Sequence, residues 1–417
     1  MAGAVSADAR GTIAELLLRE REAQTRFLAE LVSFPSENPP GDCRPHAEKA
    51  AGLLEALGFT VERHPVPEEL VKASGMLSCT NLVVRERFAS GGPTVALNAH
   101  GDVVPPCGGW SCDPYGAQIR AGRMFGRGVA VSKSDIATYA WALLALRRSG
   151  ARLRGAVELH FTYDEEAGGM LGPKLLLAKG LSTADYAICA GFSYCVTTAH
   201  NGCLHLEVEV LGKSGHAAEP KLGVDALEAA TTVLSDLYAY RNALAAQRSA
   251  IPGIGHPSLV VGLISGGVNT NVVPDRVVFR LDRRITPDEN PEDALSELTE
   301  LIRQSAHKLP GIRVEVRKIL LANPLLPGAG QARLVQALQA RARQVFGVEI
   351  EPCGVPLYTD ARHYAEAGIP TVLYGAGPRT LAEANGHCAD ENLRLEDLYK
   401  ATEVIALSLL DLLGTGD

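Results

Sequence analysis

The chain has 417 residues, 46% hydrophobic and 21% charged, with a formal net charge of −8 at pH 7. Its length exceeds one ordinary core and points to two domains of a globular protein. An acidic balance without any Lys/Arg-rich patch excludes nucleic acid and anionic membrane as main partners, and no apolar run approaches the ~20 residues that span a bilayer.

In chain order, the opening MAGAVSADARGTIAELLLRE lacks a basic start, an apolar h-region and a small-residue cleavage site, and it reads as a capped amphipathic helix. The nine cysteines are scattered, odd in number and without a C-x-x-C pair. That usage points to a reducing cytoplasm, with most cysteines acting as buried fillers. Residues 12–60 read as helix, loop, helix, with apolar positions at three- and four-residue spacing. Strand patterns follow in TNLVVRER and PTVALNAHGD. The helix SDIATYAWALLALRRSG leads into a buried-type strand, AVELHFTYDEE, and GPKLLLAKG with DYAICAG repeats the alternation. Such alternation predicts a mostly parallel sheet covered by helices.

From about residue 202 the pattern changes to β-α-β-β-α-β, the order of a split, ferredoxin-like unit. Its elements are CLHLEVEVLGK, VDALEAATTVLSDLYAYRNAL, SLVVGLISGG, VPDRVVFRLDRRIT, PEDALSELTELIRQSAHKL and IRVEVRKI. The α/β pattern then resumes with ARLVQALQARARQVFG, IPTVLYGAG and a closing helix, so this unit is an insertion. The boundaries predicted are 1–201 and 319–417 for one α/β domain and 202–318 for the inserted one.

Ligands bind at the carboxyl ends of strands in open parallel sheets, and three polar clusters fall there. LNAHGDVVPP places His100 and Asp102 as H-x-D, a spacing that suits a metal-binding imidazole and the carboxylate that orients it. FTYDEEAGG places Asp164, Glu165 and Glu166 side by side, and their mutual repulsion requires a cation or protons to offset it. NGHCADEN places His387 in a short polar loop.

Taken together, AHGDVVP, GRG-x-x-x-x-K, FTYDEEAGG, GKSGHAAEP, TNVVPD, TDAR and GH-x-x-x-E resemble, in order and over nearly the whole chain, the M20 family of metallopeptidases and amidohydrolases. That family includes aminoacylases, acetylornithine and succinyl-diaminopimelate deacylases, and glutamate carboxypeptidases. The resemblance implies a phosphorylase/hydrolase-like zinc-peptidase α/β domain with an inserted lid and dimerisation domain. It also implies two zinc ions, roughly 3.5–4 Å apart in such sites. By motif match His100 is a ligand and Asp102 its orienting partner, Glu165 the general base, and Glu166 and His387 metal ligands. Two ligand positions are substituted. The family's bridging acid falls at Val131, and its later acid at Gly191; neither side chain can coordinate zinc.

Three readings follow. In the expected one, His100, Glu166 and His387 converge on a single zinc, a His₂Glu set with an open position for water, and Glu165 takes the water's proton. In the second, Asp135, Ser132, Cys189, Cys195 or His200 rebuild the lost ligands. In the third no metal is held, and the cleft transforms or merely binds an amide-like molecule. The resemblance further implies that His216 stabilises the oxyanion from a neighbouring subunit, hence a homodimer. Asn271 and Arg284 match positions that hold a substrate's carboxylate or carbonyl; Arg284 equally suits an ion pair with Asp282. Thr359, Asp360 and Arg362 match a loop lining the cleft, which gives Thr359 and Arg362 to substrate binding, Asp360 reading as a helix N-cap or loop brace. Tyr358 just before them has no role in this reading. The activity implied is hydrolysis of a C–N amide bond in a small acyl-amino-acid or dipeptide-like molecule.

Overall fold

The computed structural model describes residues 7–414, so the cap expected ahead of the first helix lies outside the described residues. The chain divides into two compact units, one made of Met1–Thr198, Pro327–Pro352 and Thr359–Asp417, the other of Ala199–Leu326 and Cys353–Tyr358.

At the centre of the first unit's sheet the strands Arg154–Thr162, Ala89–His100, Tyr186–Cys189 and Thr371–Leu373 run parallel in that spatial order. Thr80–Arg87 pairs antiparallel with Arg154–Thr162, and Val61–Pro65 antiparallel with Thr80–Arg87. The sheet is therefore mixed, and parallel where its strands are apolar runs buried on both faces. The helix Lys133–Arg148 is buried from Lys133 to Leu146, as a helix apolar on all sides must be. It packs against the helices Ala7–Val32 and Leu395–Leu413, with the Trp141 ring meeting Phe27 edge-on at 5.0 Å.

The second unit is a four-stranded antiparallel sheet in the order Ser258–Gly266, Arg276–Ile285, Gly202–Leu211, Arg313–Ala322. Two helices, Ala226–Leu244 and Pro291–Ala306, pack on it, completing the β-α-β-β-α-β order. Both start where the sequence supplies a cap. Asp225 accepts from the Leu227 and Glu228 amides, and Asn290 from those of Glu292 and Asp293, with Pro291 at the first turn. Alternation along Gly202–Leu211 sends Leu204, Leu206, Val208 and Val210 into the helix-covered core. Cys203, His205, Glu207 and Glu209 face the other way. There Glu207 pairs with Arg280 and Arg317, and Glu209 with Arg276. The last strand runs on to Ala322, and the segment Cys353–Tyr358 joins this unit without any periodic signal in the sequence.

Seven cysteines are thiols, whereas Cys195 and Cys353 are disulfide-bonded. The reading of most cysteines as reduced, buried fillers fails for those two, and Cys107 and Cys388 are exposed. No described helix is long and apolar enough to cross a membrane.

Candidate functional site

The parallel pairing of Ala89–His100 with Arg154–Thr162 sets His100 directly opposite Thr162. Both strands end there, so His100 and Asp102 emerge beside Asp164, Glu165 and Glu166 at the carboxyl edge of the sheet. A short 3₁₀ turn, Glu165–Ala167, carries the two glutamates, and it ends on Gly168 and Gly169, both with positive φ (106° and 67°). Those conformations explain the two glycines after the acids.

Asp102 is fully buried and organises the turn. Its carboxylate accepts from the Glu165 amide (3.3 Å), the Glu166 amide (3.2 Å) and Asn38 Nδ2 (3.0 Å). His100 Nδ1 lies 3.0 Å from the Asp102 carbonyl and 3.3 Å from its carboxylate, which turns Nε2 toward Glu165 Oε2 at 3.9 Å. Burial opposes charge on His100, but Glu165, Asp102 and Glu166 outweigh it and hold the imidazole well above its ordinary range. Burial pushes the Glu165 carboxyl up to about 7; Glu166 and Asp102 add to this, while His100 and His387 work against it. His387, exposed and in the left-handed region (φ 62°), places Nε2 3.3 Å from Glu166 Oε1. One ligand atom each from His100, Glu165 and Glu166 lies within 4.8 Å of the others. One imidazole and two carboxylates thus meet on one small volume, donor types that zinc accepts, while His387 adjoins this group through Glu166.

Asp164, the third adjacent acid, points inward and accepts from the Leu171 amide at 2.5 Å. Burial first, then the Asp102 charge, pushes its carboxyl up to about 7. Asp360 stands at the start of the helix Ala361–Glu366 without capping it through its side chain; its carboxyl instead accepts from Thr162 Oγ1 at 3.2 Å. The Thr359 hydroxyl takes the capping part, accepting from the Ala361 amide at 3.2 Å. Arg362, predicted to touch substrate, is 3% exposed and donates to the Gly168 carbonyl. It holds the glutamate turn from behind because its guanidinium finds its acceptor in the backbone.

Val131 packs against the apolar core, and its loop is held by groups the sequence reading did not single out. Arg127 Nη1 pairs with Glu391 Oε2 at 2.6 Å, both side chains 1% exposed, and Glu391 Oε1 accepts from the Ala130 amide at 3.1 Å. Arg127 Nη2 also donates to the His387 carbonyl at 3.3 Å. The signal was present: GRG and GH-x-x-x-E each carry one ion of opposite sign. Asn38, by contrast, sits in a turn-rich stretch with nothing to mark it.

At Gly191 an added Cβ would stand 2.8 Å from both Leu373 Cβ and the Tyr374 nitrogen. The position that the resemblance gives to the later acid therefore has no room for a side chain. Gly191→Ala is expected to cost about 1–3 kcal/mol by overpacking, measured as a lower denaturant midpoint at unchanged slope. The candidate substitutes are engaged elsewhere. Asp135 accepts from the Ala376 amide at 2.7 Å, and burial pushes its carboxyl up to about 7. Ser132 Oγ is bonded to both the amide and the carbonyl of His100. Cys189 is buried with its thiol held well above the ordinary range by burial, and Cys195 is disulfide-bonded.

The second unit carries the remaining predicted residues. His216 is exposed in the short strand Gly215–His216, which pairs with Val272–Val273. The Ala217 amide donates to the Asn271 carbonyl at 3.0 Å, so His216 and Asn271 flank one small two-stranded sheet. Arg284 makes the Asp282 pair, donating from Nε at 2.9 Å and Nη2 at 3.1 Å, and lies over the Tyr358 ring. That is the role found for Tyr358. His200 also falls in this unit, its Nδ1 2.8 Å from the Asn201 carbonyl.

A family model described as Peptidase family M20/M25/M40 matches residues 96–411. An acetylornithine deacetylase of Myxococcus xanthus is 29% identical over 375 residues, covering 89% of this chain and 92% of that protein. A succinyl-diaminopimelate desuccinylase of Thioalkalivibrio sulfidiphilus is 28% identical over 324 residues, covering 75% and 82%. Among solved structures, human carnosine dipeptidase 1 superposes with a TM-score of 0.76 at 18% identity, covering 98% of this chain and 99% of that one. An M20 family metallo-carboxypeptidase of Sulfolobus solfataricus gives 0.74 at 19% identity, covering 94% and 98%.

Proposed function

Because the chain belongs to peptidase family M20/M25/M40, a family of C–N hydrolases, we propose that it hydrolyses the amide bond of a small N-acyl-amino-acid or dipeptide-like substrate. The observation that carries this reading is the Glu165 carboxyl, pushed up to about 7 and set 3.9 Å from His100 Nε2. A base near neutrality accepts a proton readily and returns it. Glu165 takes a proton from the attacking water, the water oxygen bonds to the amide carbon, and the C–N bond breaks as the proton passes to the leaving nitrogen. Asp102 fixes the His100 ring through Nδ1 and holds the glutamate turn through two amides, so both groups stay aimed at one point. In this reading His216, exposed on its short strand, serves the oxyanion from the partner subunit of a homodimer.

His100, Glu166 and His387 would hold one zinc ion, which when bound acidifies water and polarises a carbonyl. A second, metal-free reading is favoured by the packed backbone at Gly191 and the apolar Val131. Metal analysis of gently purified protein, with turnover measured before and after chelation, separates the two. The single-ion reading expects one zinc fewer per chain in His100→Ala than in the wild type, and turnover lost on chelation and regained with zinc. Equal metal content in His100→Ala and wild type, with turnover indifferent to chelator, would leave the metal-free reading standing.

A further inference from the structure

In the second unit, on the sheet face away from its helices, three side chains of metal-binding type converge. Cys203 and His205 lie two residues apart on the strand Gly202–Leu211, and antiparallel register places Asp282 opposite His205. His205 Nε2 stands 3.1 Å from Cys203 Sγ and 3.0 Å from Asp282 Oδ2, and Sγ is 3.8 Å from Asp282 Oδ1. These three ligand atoms form one of the two metal-capable groups among the described residues.

We propose that Cys203, His205 and Asp282 form a second metal site, distinct from the candidate active site, that takes Zn²⁺ or a similar borderline-soft divalent ion. Three observations carry it. First, Cys203 and Asp282 both approach the same ring nitrogen of His205. Without an ion both Cys203 and His205 donate to Asp282, the thiol over a long 3.8 Å, whereas one cation serves all three side chains at once. Second, one ligand atom from each of the three lies within 4.8 Å of the others; ligand atoms around a tetrahedral zinc stand roughly 3.3–3.8 Å apart, so the 3.0 and 3.1 Å approaches to His205 Nε2 need to open by only a few tenths of an ångström. Third, Arg284 donates to both oxygens of Asp282, at 2.9 and 3.1 Å, and fixes the carboxylate's orientation as partners behind metal ligands do. Each carboxylate oxygen keeps a second lone pair for the ion.

The donor types set the class of ion. A thiolate, an imidazole and a carboxylate suit zinc, not magnesium or calcium, which bind oxygens only. Binding displaces the Cys203 thiol proton to solvent. The His205 and Asp282 side chains are 31% and 32% exposed, which gives the ion a way in. Arg284 offsets part of the ligands' negative charge, so the site holds metal more weakly than a four-thiolate site. Three protein ligands leave a fourth position open, as in catalytic rather than purely structural zinc sites.

This site is independent of the proposed hydrolytic centre, whose donors include no sulfur, and cobalt reads the difference. Full-length protein stripped by chelation is titrated with Co²⁺, and the near-ultraviolet thiolate-to-cobalt charge-transfer band is followed. The expected result is a saturable band in the wild type that, with the hydrolytic centre disabled in His100→Ala, plateaus at one equivalent per chain. It is retained in His100→Ala, lost in Cys203→Ser, and shifted at least tenfold toward weaker binding in His205→Gln. Should Cys203→Ser fail to fold, the partly exposed His205→Gln decides alone. Absence of the band in the wild type, its survival in Cys203→Ser, or unchanged affinity in His205→Gln overturns the proposal.

Discussion

Glu165→Gln is expected to lower kcat by about 10²–10⁴-fold, the contribution of a positioned general base, while the chain stays folded. Gln keeps the size of Glu and removes only its ability to take a proton. The wild-type kcat/KM should rise with pH through about 7, as the Glu165 carboxyl loses its proton, and that limb should be missing from the residual activity of the variant. Stability is expected to move the other way. A carboxyl whose folded pKa is raised, from 4.5 to about 7, contributes stability that is fully present below 4.5 and lost as pH rises through 7. Above pH 7 the wild type is therefore the less stable protein, and the two converge as pH falls below 4.5. Thermal melts at a series of pH values, run beside steady-state kinetics, test both halves. Turnover of the variant within tenfold of wild type excludes Glu165 as the base.

Arg127→Met is expected to cost about 3–5 kcal/mol, because it leaves Glu391 ionisable and unpaired in the interior. Burial already pushes the Glu391 carboxyl up, and the Arg127 charge works against this. The double variant Arg127→Met/Glu391→Gln removes both ions, keeps an oxygen for the Ala130 amide, and is expected to recover most of the loss, since it leaves no orphan charge. Denaturant midpoints at constant slope measure both. Arg127 also anchors the His387 carbonyl, so the double variant should still bind zinc about 10–100-fold more weakly, as loss of a ligand's support does. Equal midpoints for the single and double variants would show that the charges are not coupled in the folded protein.

The residues legible in the sequence were those tied to strand ends. His100 and the FTYDEE acids each follow an apolar run, and parallel pairing makes neighbours of such ends. The two departures, Val131 and Gly191, were legible by their position in motifs, although only packing showed that Gly191 has no room for a side chain. Roles that depend on direction were not legible. Arg362 carries a charge that suits a substrate, yet it is turned into the interior toward Gly168. Asp360 precedes a helix as an N-cap would, yet its carboxyl bonds to Thr162 in another element. Arg127 and Glu391 are 264 residues apart, beyond the reach of any local pattern.

By itself the sequence determined the alternation of elements, the presence of a second β-α-β-β-α-β unit and the polar clusters at strand ends. Those properties are local: a period, a cap or a motif is written within a few residues. Tertiary structure alone decided which acid points inward and which outward, what backs each one, and how Asp102 serves two amides and an imidazole at once. It also decided that Cys203, His205 and Asp282 meet. Strand register and burial set these, and both depend on contacts between segments that no local pattern encodes.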